Sequence, residues 1–257
     1  MDPKQQEFSF LLELYRVNRK LSLLHAIEGI DITRCAEYCA AWRNLRATLG
    51  QGRCVVLDLG SYRSPWPVYL ARQGHRAIAL DRSAMVMKQA GWANKAGCRS
   101  HVLPLVADAL RIPLADNAAD VATAISTLEH IEADGDTRAL AEVCRALKPG
   151  GLLFVSVPYA ACSMTGRWGR WFQRWYNDSE ASRRLIDPLP VAEEGRGYLL
   201  GGTTGRLADI WYRLPARLRH CFSWSHIAWA WGSELTGDRS DARVLWLVLR
   251  KRTAGPG

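Results

Sequence analysis

The stretch Cys54–Ser83, CVVLDLGSYRSPWPVYLARQGHRAIALDRS, constrains the fold more than any other part of this chain. An apolar strand, Val55–Leu57, runs into Asp58-Leu59-Gly60, and a tight turn and a helix follow. A second apolar strand, Ala77–Leu80, ends in Asp81. Short apolar runs separated by a helical segment are the pattern of parallel strands covered on both faces. In such a βαβ unit, an acid at the end of the second strand can accept hydrogen bonds from both hydroxyls of a ribose.

The pattern continues. Val102–Val106 reads as a third strand, followed by Ala107-Asp108-Ala109 and a polar-capped loop, Arg111–Asn117. Asp120–Ile125 reads as a fourth, followed by Ser126-Thr127-Leu128-Glu129-His130. A helix over Thr137–Leu147 stops at Lys148-Pro149-Gly150-Gly151, and Leu152–Val157 is a fifth strand. The alternation predicts an α/β fold with a Rossmann-like, seven-stranded, mostly parallel sheet and helices on both faces. Val244–Leu249 is expected to be the last strand, antiparallel to its neighbour, with Arg219–Trp224 as a hairpin partner. Asp58, Asp81, Asp108 and Ser126–His130 all fall at strand carboxyl ends, where such sheets bind ligands.

Taken in order, DLGS, ALDRS, DALRIPLADNAADVATAISTLEHI and LKPGG resemble class I S-adenosylmethionine-dependent methyltransferases. The resemblance spans about Gly52–Tyr159 and is closest to the ubiquinone and menaquinone methyltransferase-like small-molecule branch. It implies S-adenosyl-L-methionine as cofactor. Gly60, with Ser61 and Tyr62 in its loop, would approach the methionine portion, and Asp58 would orient the loop and the amino group. Asp81 would take the ribose hydroxyls, with Arg82 beside the adenine. Asp108 would accept from the adenine amine, with Ala109 offering a backbone N–H. Ser126 and Thr127 would lie near the methionine end. His130, just past the fourth strand, is the general-base candidate, because histidine ordinarily titrates near neutrality. Simpler readings stand beside these: Asp108 as a loop cap, His130 as a residue that only orients its neighbours, and Glu129 as a helix start where it could equally bind substrate.

One departure from the family pattern matters. Gly60 is kept from the usual Gly-x-Gly-x-Gly turn, but Tyr62 and Ser64 occupy the next two glycine positions. Glycine serves such turns by allowing positive φ and close approach. Ser64-Pro65 would begin the helix, with Ser64 near its N-cap and Pro65 at the first helical position. The loop is read as a variant cofactor loop, against the alternative of a catalytically silent, methyltransferase-like binding protein.

The 257 residues, 48% of them hydrophobic, suit one α/β domain with additions. These are a helical extension over 1–50, a cofactor-binding core over 51–158, and a cap or substrate region with the closing strands over 159–257. A net charge of +9 permits contact with anionic substrates, nucleic acid or membrane surfaces without singling one out. The N-terminus lacks a secretory pattern, and no run approaches the ~20 apolar residues of a membrane-spanning helix. A cytoplasmic place is expected, with peripheral membrane contact left open, as is the choice between monomer and homodimer. Seven scattered cysteines read as buried thiols. Cys35 and Cys39 would share a helix face, but no further ligands accompany them, so no metal site is expected.

The flanks carry the individuality. Phe8, Leu11, Leu12, Tyr15, Leu21, Leu24 and Ile27 follow a helical period, broken at Gly29–Asp31 and resumed over Thr33–Leu49. The resemblance implies that such helices close over the cofactor or shape the substrate pocket, which makes Tyr15 and Arg16 candidates to reach it; a helix that only covers the sheet is the equal alternative. Eight of the eleven tryptophans lie after residue 160. Trp168, Trp171 and Trp175 would share one face of a helix. That helix would cap the core or lie in a membrane interface. A nucleic-acid surface is the least favoured reading. Trp168 and Trp171 are the candidate substrate contacts there. The expected activity is methyl transfer to an oxygen or carbon of a small hydrophobic metabolite. The alternative acceptor is a lipid or lipid-linked saccharide at a membrane surface.

Overall fold

The computed structural model describes residues 2–168, 171–213, 234–235, 239 and 241–253. Three helices open the chain: α1 (Pro3–Leu21), α2 (Leu23–Glu28) and α3 (Ile32–Leu49). Each starts at a side-chain cap. Asp2 accepts from Lys4 N, Ser22 from His25 N, and Asp31 from Arg34 N, which satisfies amides with no partner inside the helix. Gly29, at φ +68°, ends α2 where the sequence predicts the break.

The sheet core follows as β1 (Val55–Leu59), α4 (Trp66–Arg72), β2 (Arg76–Asp81), α5 (Lys88–Lys95), β3 (Val102–Val106), β4 (Ala119–Ile125), α6 (Gly135–Ala146) and β5 (Leu147–Pro158). Beyond it lie β6 (Met164–Trp168), β7 (Trp171–Trp175), α7 (Asp178–Leu185), β8 (Val191–Leu199), α8 (Gly202–Arg213), β9 (Glu234–Leu235) and β10 (Val244–Lys251). Seven strands lie in the order β3-β2-β1-β4-β5-β10-β8, with the two-residue β9 on the outer edge. Neighbours among β1–β5 pair in parallel, and β10 runs antiparallel to both β5 and β8. This is the mostly parallel, helix-covered sheet that the apolar runs predict, with the last strand reversed as expected.

Both faces of the sheet are buried. On one, Leu14, Ile32, Tyr38 and Leu45 of the N-terminal helices pack with Val121, Phe154 and Trp246. On the other, Leu140 and Val143 of α6 and Leu185 of α7 pack with Leu57, Leu80 and Leu153. Strand order reverses between β1 and β4, and the crevice outside their carboxyl ends is the natural ligand site of such a sheet.

The tryptophan segment corrects the sequence reading. Trp168, Trp171 and Trp175 lie on no helix. β6 and β7 form a separate two-stranded antiparallel ribbon, with Trp168 opposite Trp171 and Met164 opposite Trp175. The spacing that fits one helix face also places Trp168 and Trp171 across from each other in a hairpin. Aromatic and β-branched residues favour the strand. Period-two alternation still keeps Trp171 and Trp175 on one face, while Arg174 on the other is buried against Asp136 at 3.3 Å. The proposed strand Arg219–Trp224 lies outside the described residues. The observed second neighbour of β10 is β8.

Candidate active site

The site begins with the turn after β1. Gly60 and Ser61 both donate their backbone N–H to Leu80 O, at 2.8 and 3.0 Å, locking the turn to the end of β2. Gly60 has φ +78°, and a Cβ there would overlap the Thr127 hydroxyl, so glycine is required on both counts. Thr127 in turn donates to Leu59 O or Ile125 O, each at 3.1 Å. Asp58 is buried beneath the turn. It accepts from Ser61 Oγ at 2.6 Å and from Thr123 Oγ1 at 2.7 Å. Burial pushes its carboxyl up to about 6, against the lowering pull of these two hydroxyls.

Tyr62 stands where the family has a second glycine, yet its φ is +29°. The turn therefore keeps a left-handed residue despite the side chain, which is 46% exposed. Its N–H donates to Asp81 Oδ2 at 3.0 Å, and Ser83 N donates to Asp81 Oδ1 at 2.7 Å. Asp81 is thus held rigidly at the strand end, and each carboxylate oxygen keeps lone-pair capacity for a ribose hydroxyl. Ser64 Oγ accepts from Trp66 N at 3.1 Å, but α4 starts one residue later than expected, with Pro65 in the cap position and Trp66 as the first helical residue. Tyr38 and His25 brace the same loop from α3 and α2: Tyr38 OH lies 2.8 Å from Ser64 Oγ, and His25 Nε2 lies 3.0 Å from Arg63 O.

A cleft of about 250 Å³ lies between this turn and the N-terminal helices. Asn18, His25, Asp31, Arg34, Tyr38, Asp58, Gly60 and Tyr62 are among its lining residues. Tyr15 is not among them, because it is buried in the core, and Arg16 is exposed on α1. After β3, Asp108 Oδ1 accepts from Leu110 N at 2.9 Å, the loop-cap geometry. Its second oxygen has no partner among the described residues. Ala109 packs against the core, and Arg82 is exposed.

Past β4 lies a polar cluster in which pattern reading missed Arg34 and Glu37. Glu37 of α3 is fully buried. It accepts from Ser156 Oγ at 2.9 Å, from Ser126 Oγ, and from Arg34 Nη1 at 2.8 Å. Glu129 is 2% exposed and its Oε2 has no hydrogen-bond partner among the described residues. Burial, against the opposing charge of Arg34, pushes it up to about 8. His130 beside it is exposed. Its Nδ1 lies 2.8 Å from Phe172 O on β7, and its Nε2 lies 3.8 Å from Glu129 Oε1. Trp171, 50% exposed, is the neighbour of Phe172 on that strand. Trp168 is placed at the end of β6.

A reversal of strand order at β1 and β4, a glycine turn after β1, an acid ending β2 and a reversed strand beside β5 define a class I S-adenosylmethionine-dependent methyltransferase. Residues 57–155 match the family described as methyltransferase domain. Over 185 residues the chain is 31% identical to demethylmenaquinone methyltransferase of Thermobifida fusca, spanning 68% of this chain and 70% of that one. The chain belongs to this family of S-adenosylmethionine-dependent, quinone-methyltransferase-like enzymes, and S-adenosylmethionine is its cofactor. The fold is also that of 1,6-didemethyltoxoflavin-N1-methyltransferase of Burkholderia thailandensis, solved with 1,6-didemethyltoxoflavin and S-adenosylhomocysteine. That comparison gives a TM-score of 0.60 at 19% identity over 96% of this chain and 87% of that one. The [4+2]-cyclase SpnF shares the fold, with a TM-score of 0.58 at 20% identity over 82% of each chain.

Proposed function

We propose that the chain transfers a methyl group to an oxygen or carbon of a small hydrophobic acceptor, with His130 removing the acceptor's proton. The observation that carries this reading is the 2.8 Å contact of His130 Nδ1 with Phe172 O. Nδ1 faces a backbone carbonyl, which can only accept, so the neutral ring holds its proton there and leaves its lone pair on Nε2. The bound cofactor supplies an activated methyl on a positive sulfur. The residues hold the reactants in line and remove the proton. In this reading Asp81 and Arg82 hold the ribose and adenine, and Asp108 and Ala109 hold the adenine edge. Gly60, Ser61 and Tyr62 receive the methionine end. Asp58 acts by shaping their turn, since it is buried beneath it and each of its oxygens holds a hydroxyl of the protein. The Ser126 and Thr127 hydroxyls and the Ser126 N–H are engaged within the protein, which leaves the Thr127 N–H and spare carbonyl lone pairs for the cofactor. A hydrophobic acceptor is supported by the T. fusca relative, whose name gives demethylmenaquinone as its acceptor.

The test is a methyl-transfer screen against hydrophobic phenols and quinols with labelled S-adenosylmethionine. His130→Ala is expected to lose about 10²–10⁴-fold in turnover while still binding S-adenosylhomocysteine. Undiminished turnover would remove His130 as the base.

A second reading, a lipid or lipid-linked acceptor met at a membrane surface, is favoured by the β6–β7 ribbon. Met164 is 53% and Trp171 50% exposed on the same ribbon that holds His130. No helix among the described residues is long and apolar enough to cross a membrane, so contact would be at the surface. Flotation with anionic vesicles, reduced by Trp171→Ala, is the expected result. Wild-type protein left entirely in the soluble fraction would exclude it.

A further inference from the structure

Arg34 sits where α3 crosses the carboxyl end of β4. Its Nη1 donates to Glu37 Oε2 at 2.8 Å and to Ile125 O at 3.2 Å, and its Nη2 donates to Ser126 O at 3.4 Å. A guanidinium has five N–H donors. Three are used, and Nε–H and the second Nη2–H make no hydrogen bond to any described residue. Nε and Nη2 share the edge of the guanidinium that meets a carboxylate side-on through two parallel bonds. The side chain is 33% exposed and lines the cleft together with Gly60. Asp31, one helical turn away, lines the same cleft and accepts from Arg34 N at 2.9 Å. A cationic fork and a carboxylate thus line one small cleft, which is the charge pattern that complements a zwitterionic amino acid.

We infer that Arg34 anchors the α-carboxylate of the cofactor's methionine portion, by a side-on pair of hydrogen bonds from Nε and Nη2. The inference rests on S-adenosylmethionine being the cofactor of this cleft. Glu37 and the carbonyls of Ile125 and Ser126 fix the guanidinium before the ligand arrives, so little ordering is needed on binding. Arg34 also grips the strand end that leads to Ser126 and His130. The carboxylate anchor and the acceptor side are therefore built on one rigid element.

The test is calorimetric titration of wild type, Arg34→Gln and Arg34→Lys with two ligands. One is S-adenosylhomocysteine, and the other is S-adenosyl-3-thiopropylamine, its decarboxylated form, which keeps the amine. Wild type is expected to prefer the carboxylate-bearing ligand by about 10–100-fold, the range for hydrogen bonds to a charged group. In Arg34→Gln that preference should fall to within about threefold, through weaker S-adenosylhomocysteine binding alone. Unchanged affinity for the decarboxylated ligand then shows an intact site. Arg34→Lys, which keeps the charge without the fork, should fall between. Full preference retained in both variants would overturn the inference. Failure of wild type to bind either ligand would overturn the cofactor site itself, a distinct result.

Discussion

At the residue scale, the site is built from groups held under strain or out of water. Tyr62 holds a left-handed backbone that costs a side-chain-bearing residue roughly 1–2 kcal/mol. Tyr62→Gly should relieve that strain and lose about 0.5–1 kcal/mol to chain entropy, leaving stability in urea unchanged or slightly raised. Tyr62→Ile, β-branched at the same φ, should be clearly less stable than wild type. Glu129 gives a pH dependence with a definite sign. Arg34 and Glu37 face it from α3, Ser126 and His130 from its own turn, and Tyr176 from the end of β7. Its carboxyl ionises near 4.5 in an ordinary setting and near 8 when folded. Its contribution is complete below about 4.5 and is lost as pH rises through about 8, because only the unfolded chain releases the proton in between. Glu129→Gln lacks this loss. Its stability relative to wild type should climb across the window by on the order of 1 kcal/mol per pH unit, and a flat difference would refute the assignment. Asp58, Gly60 and Asp81 were legible in the sequence because strand ends in a parallel sheet converge on one edge. Arg34 and Glu37 were not. A charged pair three apart on a helix ordinarily reads as a solvated face, and only the packing of α3 across β4 and β5 buries it.

At the element scale, the parallel strands were legible because strands covered on both faces are apolar almost throughout. The run Leu152–Val157 shows this: its single polar residue, Ser156, bonds Glu37. β8 was not legible, because Val191–Leu199 carries two glutamates, an arginine and two glycines near the sheet edge. The β6–β7 ribbon defeats pattern reading because its tryptophan spacing satisfies two geometries, and what decides between them lies elsewhere in the chain. Asp136 at the start of α6 is fully buried. It accepts from Arg184 of α7 at 2.7 Å, from Arg174 of β7 at 3.3 Å and from Tyr176 OH at 2.8 Å. Burial alone would raise its carboxyl, but these partners outweigh burial and hold it below the ordinary range. Its stabilisation is therefore present above the ordinary carboxylate pKa and is lost on acidification. Asp136→Ala leaves two arginines without their buried counter-charge and should cost about 3–5 kcal/mol in chemical denaturation. A loss below about 1 kcal/mol would mean that the ribbon is held by something else. The outer strands offer a steric check. A Cβ at Gly197 of β8 would overlap the indole of Trp246 on β10, so Gly197→Ala should destabilise by about 1–3 kcal/mol, and pairing it with Trp246→Leu should recover part of that loss.

At the scale of the whole molecule, the candidate cleft joins two parts of the chain that are far apart in sequence. Asn18 of α1, His25 of α2 and Arg34 and Tyr38 of α3 form one wall, and the turn from Asp58 to Ser64 forms the other. The helices also share a core with the sheet: Leu14, Ile32 and Leu45 are fully buried with Val121 and Phe154. A ligand that bridges both walls should therefore stabilise them together. At a hundred times its dissociation constant, S-adenosylhomocysteine should add about 2.7 kcal/mol to folding stability. Hydrogen exchange locates that gain. Amides of α2, of the start of α3 and of residues 60–64 should slow together, because His25 and Tyr38 already tie the helices to the loop. Slowing confined to residues 58–64 and to the end of β2 would mean that the helices flank the ligand without closing on it. The cleft would then owe its shape to the turn alone.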